Sequence, residues 1–225
     1  MLRAVIFDFN GILVDDEPIH WDLFRKVLQE EGLSLSDKEY YERYLGMDDR
    51  GCFKAVFKDQ GRPLDDAALA QLIERKASYY RKSIADKMVV FPGVHELVPQ
   101  LSERFPLAVA SGALRDEIEL VLKSFGLRKF FHAIASAEDV AEGKPQPEIF
   151  LKALQYLNRP GEGEIIRPSE CLVVEDSKEG LLAARRGGMK CLAVANSYAA
   201  AELKSADAVV ESLETVTIPF LESLF

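Results

Sequence analysis

Asp8 follows the apolar run Ala4-Val5-Ile6-Phe7 and opens Asp8-Phe9-Asn10-Gly11. A short apolar run ending in a polar residue reads as a buried strand, and a carboxylate at its end can be a nucleophile, a metal ligand or a turn residue bonded to its own backbone. Glu175-Asp176 ends Cys171-Leu172-Val173-Val174 in the same way. Two half-buried acidic sites repel unless a proton or cation joins them. A hard oxygen site for Mg²⁺ is the simplest resolution, because that ion takes one or two carboxylates and leaves other positions for water and phosphate. Capping is the plain alternative, with Asp176 or Ser177 starting the next helix. Ser111-Gly112-Ala113 closes Leu107-Ala108-Val109-Ala110, where a hydroxyl and backbone N–H groups can face an anion or the serine can serve only as a cap. Lys144 lies in Gly143-Lys144-Pro145-Gln146-Pro147, a loop stiffened by two prolines. Most single lysines only keep a surface soluble, but an ammonium presented there can neutralise a phosphate or hold Asp8 ionised.

For these residues to meet, their strands must share one sheet edge. From Phe91-Pro92-Gly93 onward, strand and helix signals alternate: helix 94–104, strand 107–110, helix 114–125, strand 132–135, helix 148–156, strand 171–174, helix 178–186, strand 190–194, a short helix near 199–204, and strand 208–210. This alternation implies an α/β fold with a doubly wound, Rossmann-like parallel sheet, whose ligand crevice lies beyond the carboxyl ends of the strands. Between Asp16 and Lys87 the strand signal stops. Ile19 to Glu31 shows helical spacing through Leu23, Phe24, Val27 and Leu28, and helix-like stretches follow at 37–44, 49–60 and 65–85, each beginning near an Asp suited to a helix N-terminus. The expected organisation is a core of residues 1–15 and 88–225 interrupted by an all-helical insert of residues 16–87. Asn158 to Ser169 reads as a surface loop, and Ile218-Pro219-Phe220 as an apolar closing segment.

At 225 residues and 48% hydrophobic, the chain can bury a full core as one domain or two unequal ones. A net charge of -9 sets Coulomb repulsion against a nucleic-acid backbone or an anionic membrane as partner. It leaves room for an anionic small substrate, since a metal or lysine inverts the local field. Cys52, Cys171 and Cys191 are odd in number, widely spaced and without zinc-site spacing, so buried reduced thiols and a cytoplasmic setting are expected. No apolar run approaches the roughly 20 residues needed to cross a bilayer, and no signal peptide is legible. A monomer or weak oligomer is the expected state.

In order and context these motifs resemble the haloacid dehalogenase superfamily of aspartyl-nucleophile phosphatases, particularly the β-phosphoglucomutase and phosphoglycolate phosphatase branch with a helical cap. The resemblance spans nearly the whole chain. Its first motif matches Asp8-Phe9-Asn10-Gly11-Ile12-Leu13-Val14-Asp15, its second Ser111, its third Lys144 in Gly143-Lys144-Pro145, and its fourth Glu175-Asp176. The resemblance implies that Asp8 attacks phosphorus to form an aspartyl phosphate. It also implies that Asp8, the backbone carbonyl of Asn10, Asp176 and Glu175 hold Mg²⁺, and that Ser111, Gly112 and Lys144 grip the phosphoryl oxygens of a small phosphorylated substrate. The insert, as a cap, would close over the crevice and exclude water. Within it Leu45-Gly46-Met47-Asp48-Asp49-Arg50 resembles the family's substrate-specificity loop, where Arg50 could bind an anionic leaving group bidentately. An ordinary turn with a solvated Arg50 accounts for the same letters.

Position 10 departs from the family pattern, which has Asp there as general acid and then general base. Asn10 cannot titrate, so metal binding through its carbonyl can survive while proton transfer is lost, at a cost of roughly 10²- to 10⁴-fold in rate. An engineered substitution, a native enzyme with good leaving groups, and a phosphate-ester binder without turnover all fit. His20, at the entry to the insert, is either a half-exposed helix histidine or an aid to protonation. The rivals are a β-phosphoglucomutase-like mutase, which returns the phosphoryl group to sugar, and a response-regulator-like receiver. The receiver is disfavoured by the helical insert and the position of the first aspartate.

Overall fold

A four-residue run such as Ala4–Phe7, buried along its whole length, can only be the interior strand of a sheet covered on both faces. The computed structural model of the chain describes residues 1–15, 17–45, 47–87, 89–158 and 164–225. In chain order its elements are β1 (Ala4–Phe7), β2 (Val14–Asp15), α1 (Glu17–Glu30), α2 (Asp37–Arg43), α3 (Asp49–Asp59), α4 (Asp66–Lys87) and β3 (Val89–Val90). There follow α5 (Val94–Ser102), β4 (Leu107–Ala110), α6 (Arg115–Ser124), β5 (Ala133–Ala135), α7 (Glu148–Leu157) and β6 (Cys171–Glu175). The chain ends with α8 (Lys178–Arg186), β7 (Lys190–Val194), β8 (Ala208–Val210) and α9 (Ile218–Ser223). It divides into two compact units, one of Met1–Asp15 with Val89–Phe225 and one of Asp16–Met88.

The larger unit is an α/β, Rossmann-like fold around a 6-stranded sheet of order β5-β4-β1-β6-β7-β8, parallel at every pairing. β1 lies at the centre. From it the chain crosses first to β4 on one side and later to β6 on the other, which makes the carboxyl end of β1 a topological switch point. Register does the rest: Phe7 is paired with both Val109 and Val174, so Asp8 and Glu175 each fall one residue beyond aligned positions, and Ser111 two. One core face gathers Ile6, Ala108, Ala110 and Val173 against Phe150 and Leu154 of α7 and Leu181 of α8.

β2 and β3 form an antiparallel pair, Val14 with Val90 and Asp15 with Val89. Two-residue strands carry no readable period, so local pattern does not announce them. The segment expected to be a short helix near Ala199–Lys204 is a single 3-10 turn, Ala200–Glu202. The closing segment is the helix α9, with Thr217 accepting the N–H of Phe220 and Pro219 in the first turn, where its missing N–H costs nothing. Of the expected loop 158–169, residues 159–163 lie outside the described residues. So do Gly46 of the Leu45–Arg50 segment, and Asp16 and Met88 at the two ends of the insert.

The smaller unit is helical. Leu23, Phe24, Val27 and Leu28 of α1 are all buried, as their spacing requires, and Phe24, Val27 and Leu28 pack with Phe53, Val56 and Phe57 of α3 and Leu69 and Leu72 of α4. Trp21 stacks on Tyr40 with ring centroids 4.7 Å apart. Asp48 caps α3 through the N–H of Gly51, and Asp65 accepts the N–H of Ala68. At α2 the cap is Ser36, in a reciprocal pair with Glu39, and Asp37 sits inside the first turn. Among the described residues no helix is long and apolar enough to cross a membrane.

Candidate active site

Parallel pairing delivers three segments to one end of the sheet. The Asp8 N–H donates to the Val174 carbonyl at 2.9 Å and the Ser111 N–H to the Ala135 carbonyl at 3.0 Å, so both residues still belong to the ladder as their side chains leave it. Helix α6 begins only at Arg115, with Leu114 as its flanking residue, so Ser111 is not its cap. The Ser111 hydroxyl instead accepts the Ala113 N–H at 3.1 Å and donates to Oδ1 of Asn10 at 3.2 Å. Ser177 does cap α8, accepting the Gly180 N–H at 3.0 Å.

Lys144 joins the motifs. Its Nζ lies 2.8 Å from Oδ1 of Asp8 and 2.6 Å from Oε1 of Glu175, and 5.1 Å from the centre of the Phe150 ring. The loop that carries it closes as a turn through the Gln146 N–H on the Gly143 carbonyl and is tied to α8 by Arg186 donating to the Pro145 carbonyl. Glu175 is buried completely. Its Oε2 accepts the Asp176 N–H at 2.7 Å, the Ser177 N–H at 2.6 Å and the Ser177 hydroxyl at 2.9 Å. Both Glu175 oxygens are therefore engaged by protein donors.

Asp8, Glu175 and Asp176 each offer an oxygen within 4.8 Å of the others, all three buried. One ammonium against three carboxylates leaves an excess of negative charge in a dry place, and an all-oxygen donor set without His or Cys fits a hard divalent cation. The electrostatics agree. Burial pushes the Asp8 carboxyl up to about 7, with Lys144 pulling down and Glu175 pushing up. Burial and the charges of Glu175 and Asp8 raise Asp176 as well. For Lys144 burial works against the charged form, but Asp8 and Glu175 outweigh it and the net shift is upward.

Two glycines make room for the carboxylates. A Cβ on Gly11, which has φ +79°, would overlap the Asp176 carboxylate, and one on Gly180 would overlap that of Glu175. A further segment, after β7, reaches the same place. Asn196 Nδ2 donates to the Gly11 carbonyl at 2.6 Å, and the Ser197 hydroxyl donates to Oδ2 of Asp176. Sequence reading passed over Asn196 and Ser197, although they follow a strand run just as Asp8, Ser111 and Glu175 do.

His20 and Arg50 lie in the helical unit. Arg50 is exposed on α3. His20 is partly buried on α1, where its Nδ1 accepts from Lys76 Nζ at 2.6 Å and its ring lies 4.8 Å from that of Tyr80. Lys76 is itself buried, 2.7 Å from Oδ1 of Asp49, and sequence reading missed it because a lysine inside a helical period looks solvated.

The family model for haloacid dehalogenase-like hydrolases matches residues 5–194. Among curated relatives, the chloroplastic 5-amino-6-(5-phospho-D-ribitylamino)uracil phosphatase of Arabidopsis thaliana is 31% identical over 98% of this chain, which spans 57% of that protein. Fructose-1-phosphate phosphatase YqaB of Escherichia coli is 31% identical over 85% of this chain and 95% of its own length. Among solved structures, β-phosphoglucomutase from Clostridium difficile superposes with a TM-score of 0.86 at 23% identity, covering 100% of this chain and 97% of that one.

Proposed function

This chain belongs to the haloacid dehalogenase-like hydrolases, and from that premise we propose that it is a Mg²⁺-dependent phosphatase of small phosphorylated metabolites, working through an aspartyl phosphate on Asp8. The observation that carries the reading is Lys144 bridging Asp8 and Glu175 at 2.8 and 2.6 Å. That contact favours the ionised form of the first carboxylate against the burial that raises its pKa, and orients it inside a buried, oxygen-rich cluster.

Asp8, Asp176 and the backbone carbonyl of Asn10 would hold the ion, with Glu175 adding charge beside it while its oxygens anchor Lys144 and the 175–177 turn. Bound there, Mg²⁺ supplies charge neutralisation for the transferring phosphoryl group. An Asp8 oxygen attacks phosphorus, the new O–P bond forms as the bond to the leaving oxygen breaks, and the pair of electrons departs with the leaving group. Lys144, the Ser111 hydroxyl and the backbone at Gly112 bind the phosphoryl oxygens. Water then attacks the aspartyl phosphate and releases phosphate. Asn10 can donate a hydrogen bond but not a proton, so departure of an alkoxide and activation of water are both unassisted at this position.

The two curated relatives named above act, by their names, on phosphate esters of polyhydroxy carbon chains, and sugar or polyol phosphates are the substrate class we infer. Three free, buried cysteines support a reducing compartment such as the cytoplasm. The test is phosphate release with and without Mg²⁺, from fructose 1-phosphate, glucose phosphates, phosphoglycolate, nucleotides and pyrophosphate. It is run on this chain and on Asn10→Asp. The parent should favour the better leaving groups, and Asn10→Asp should raise turnover of ordinary monoesters by roughly 10²- to 10⁴-fold. No Mg²⁺-dependent release from either form across the panel would overturn the assignment.

A further inference from the structure

Asn196 and Ser197 follow β7 (Lys190–Val194) and belong to none of the four motifs, yet each reaches a different one. The Asn196 side-chain amide donates to the Gly11 carbonyl at 2.6 Å. The Ser197 hydroxyl donates to Oδ2 of Asp176. Gly11 and Asp176 are in turn packed so closely that a Cβ at residue 11 would overlap the carboxylate. A closed ring results: Asn196 to Gly11, Gly11 against Asp176, Asp176 to Ser197, and one peptide bond back to Asn196. The turn is itself anchored, by the Asn196 N–H on the Val194 carbonyl at 2.9 Å and the Ala195 N–H on the Val210 carbonyl at 2.9 Å.

We infer that the Asn196–Ser197 turn is a positioning device for the metal site, fixing the rotation of the Asp176 carboxylate through Ser197 and the plane of the residue 10–11 backbone through Asn196. The inference rests on the phosphatase reading of the site. An oxygen that accepts from Ser197 sets the direction in which the other Asp176 oxygen points. The peptide whose oxygen is the Asn10 carbonyl is held on one side by the Gly11 N–H on the Val14 carbonyl at 2.9 Å, and Asn196 on the Gly11 carbonyl fixes the adjoining peptide, so the two together restrict rotation at residues 10–11. Neither residue need touch the ion. A carboxylate free to rotate in an acidic pocket would lose affinity through the cost of ordering it when the ion arrives, and partners that orient a ligand are worth about 10- to 100-fold in metal affinity.

The test is titration of metal-free protein with Mn²⁺, followed by the electron paramagnetic resonance signal of the free ion. It compares the parent, Ser197→Ala, Ser197→Thr and Asn196→Ala. Ser197→Ala should weaken Mn²⁺ binding by about 10- to 100-fold, Ser197→Thr should return it to near the parent value, and Asn196→Ala should weaken it independently. KM for p-nitrophenyl phosphate at saturating metal should stay unchanged in all of them. A melting temperature lowered in EDTA with unchanged Mn²⁺ affinity would make the turn merely structural and overturn the inference. Parent protein that binds no Mn²⁺ would overturn the phosphatase reading and this inference with it. Parent binding with equal affinity in Ser197→Ala and Asn196→Ala would overturn the inference alone.

Discussion

Lys144 is where a single side chain decides most. Removing it leaves Asp8 and Glu175 facing each other without the cation that now lies within 2.8 Å of both. Breaking a buried pair from one side typically costs about 3–5 kcal/mol, so Lys144→Ala should abolish phosphate release and lower metal-free stability by that order in urea unfolding. Added Mg²⁺ should recover more stability in this variant than in the parent. Proton linkage gives a second expectation. Asp8 is raised from 3.8 to about 7 and Asp176 is raised too, so between those values the folded chain holds protons that the unfolded chain has released. Their contribution to stability is full below the unfolded pKa and disappears as pH rises through the folded one. The metal-free melting temperature should therefore fall across this window. The rise caused by Mg²⁺ should be larger at about pH 8 than at about pH 5, because protons compete for the same oxygens. A pH-independent Mg²⁺ shift in scanning fluorimetry would refute this.

The elements fix where the side chains can go. Strands β1, β4 and β6 are buried at every residue, and their apolar runs were legible as strands for that reason. Glycines at the strand-to-loop and helix positions then set the clearances. Gly11→Ala combines a left-handed φ with overlap on Asp176, whereas Gly180→Ala adds a methyl against Glu175 within α8. Overpacking of this kind costs about 1–3 kcal/mol. Both variants should melt lower than the parent, and Gly11→Ala should also bind Mn²⁺ more weakly, since the carboxylate it displaces is a proposed ligand. Equal melting of Gly11→Ala and the parent would contradict the close packing of residue 11 on the Asp176 carboxylate.

The whole molecule divides into two compact units, and the cluster around Trp21 and Phe53 lies within the helical one. The chain has 1 Trp, and it stacks on Tyr40 inside the helical unit, so tryptophan fluorescence reports that unit. Phe53, fully buried there, lies 4.9 Å from the Phe24 ring. Phe53→Ala should destabilise the transition seen by Trp21 fluorescence by about 3–5 kcal/mol. A midpoint unchanged in that signal would show that the helical core does not depend on this ring.

Strand-and-helix alternation, the helical run between residues 16 and 87 and the candidate chemistry of Asp8, Ser111, Lys144 and Glu175-Asp176 were all available from the sequence. Apolar period and turn residues act locally, within a few positions of each other. That the candidate residues gather at one end of the sheet was also expected, from the alternation and the family resemblance; the individual contacts were not. That Lys144 bridges Asp8 and Glu175, that Ser111 meets Asn10, that the turn at Asn196 and Ser197 closes on Gly11 and Asp176, and that Lys76 is buried with Asp49 and His20 depend on strand order, register and helix packing. Those are settled by burying apolar surface over the whole chain, and no local pattern encodes which distant residues that burial will bring together.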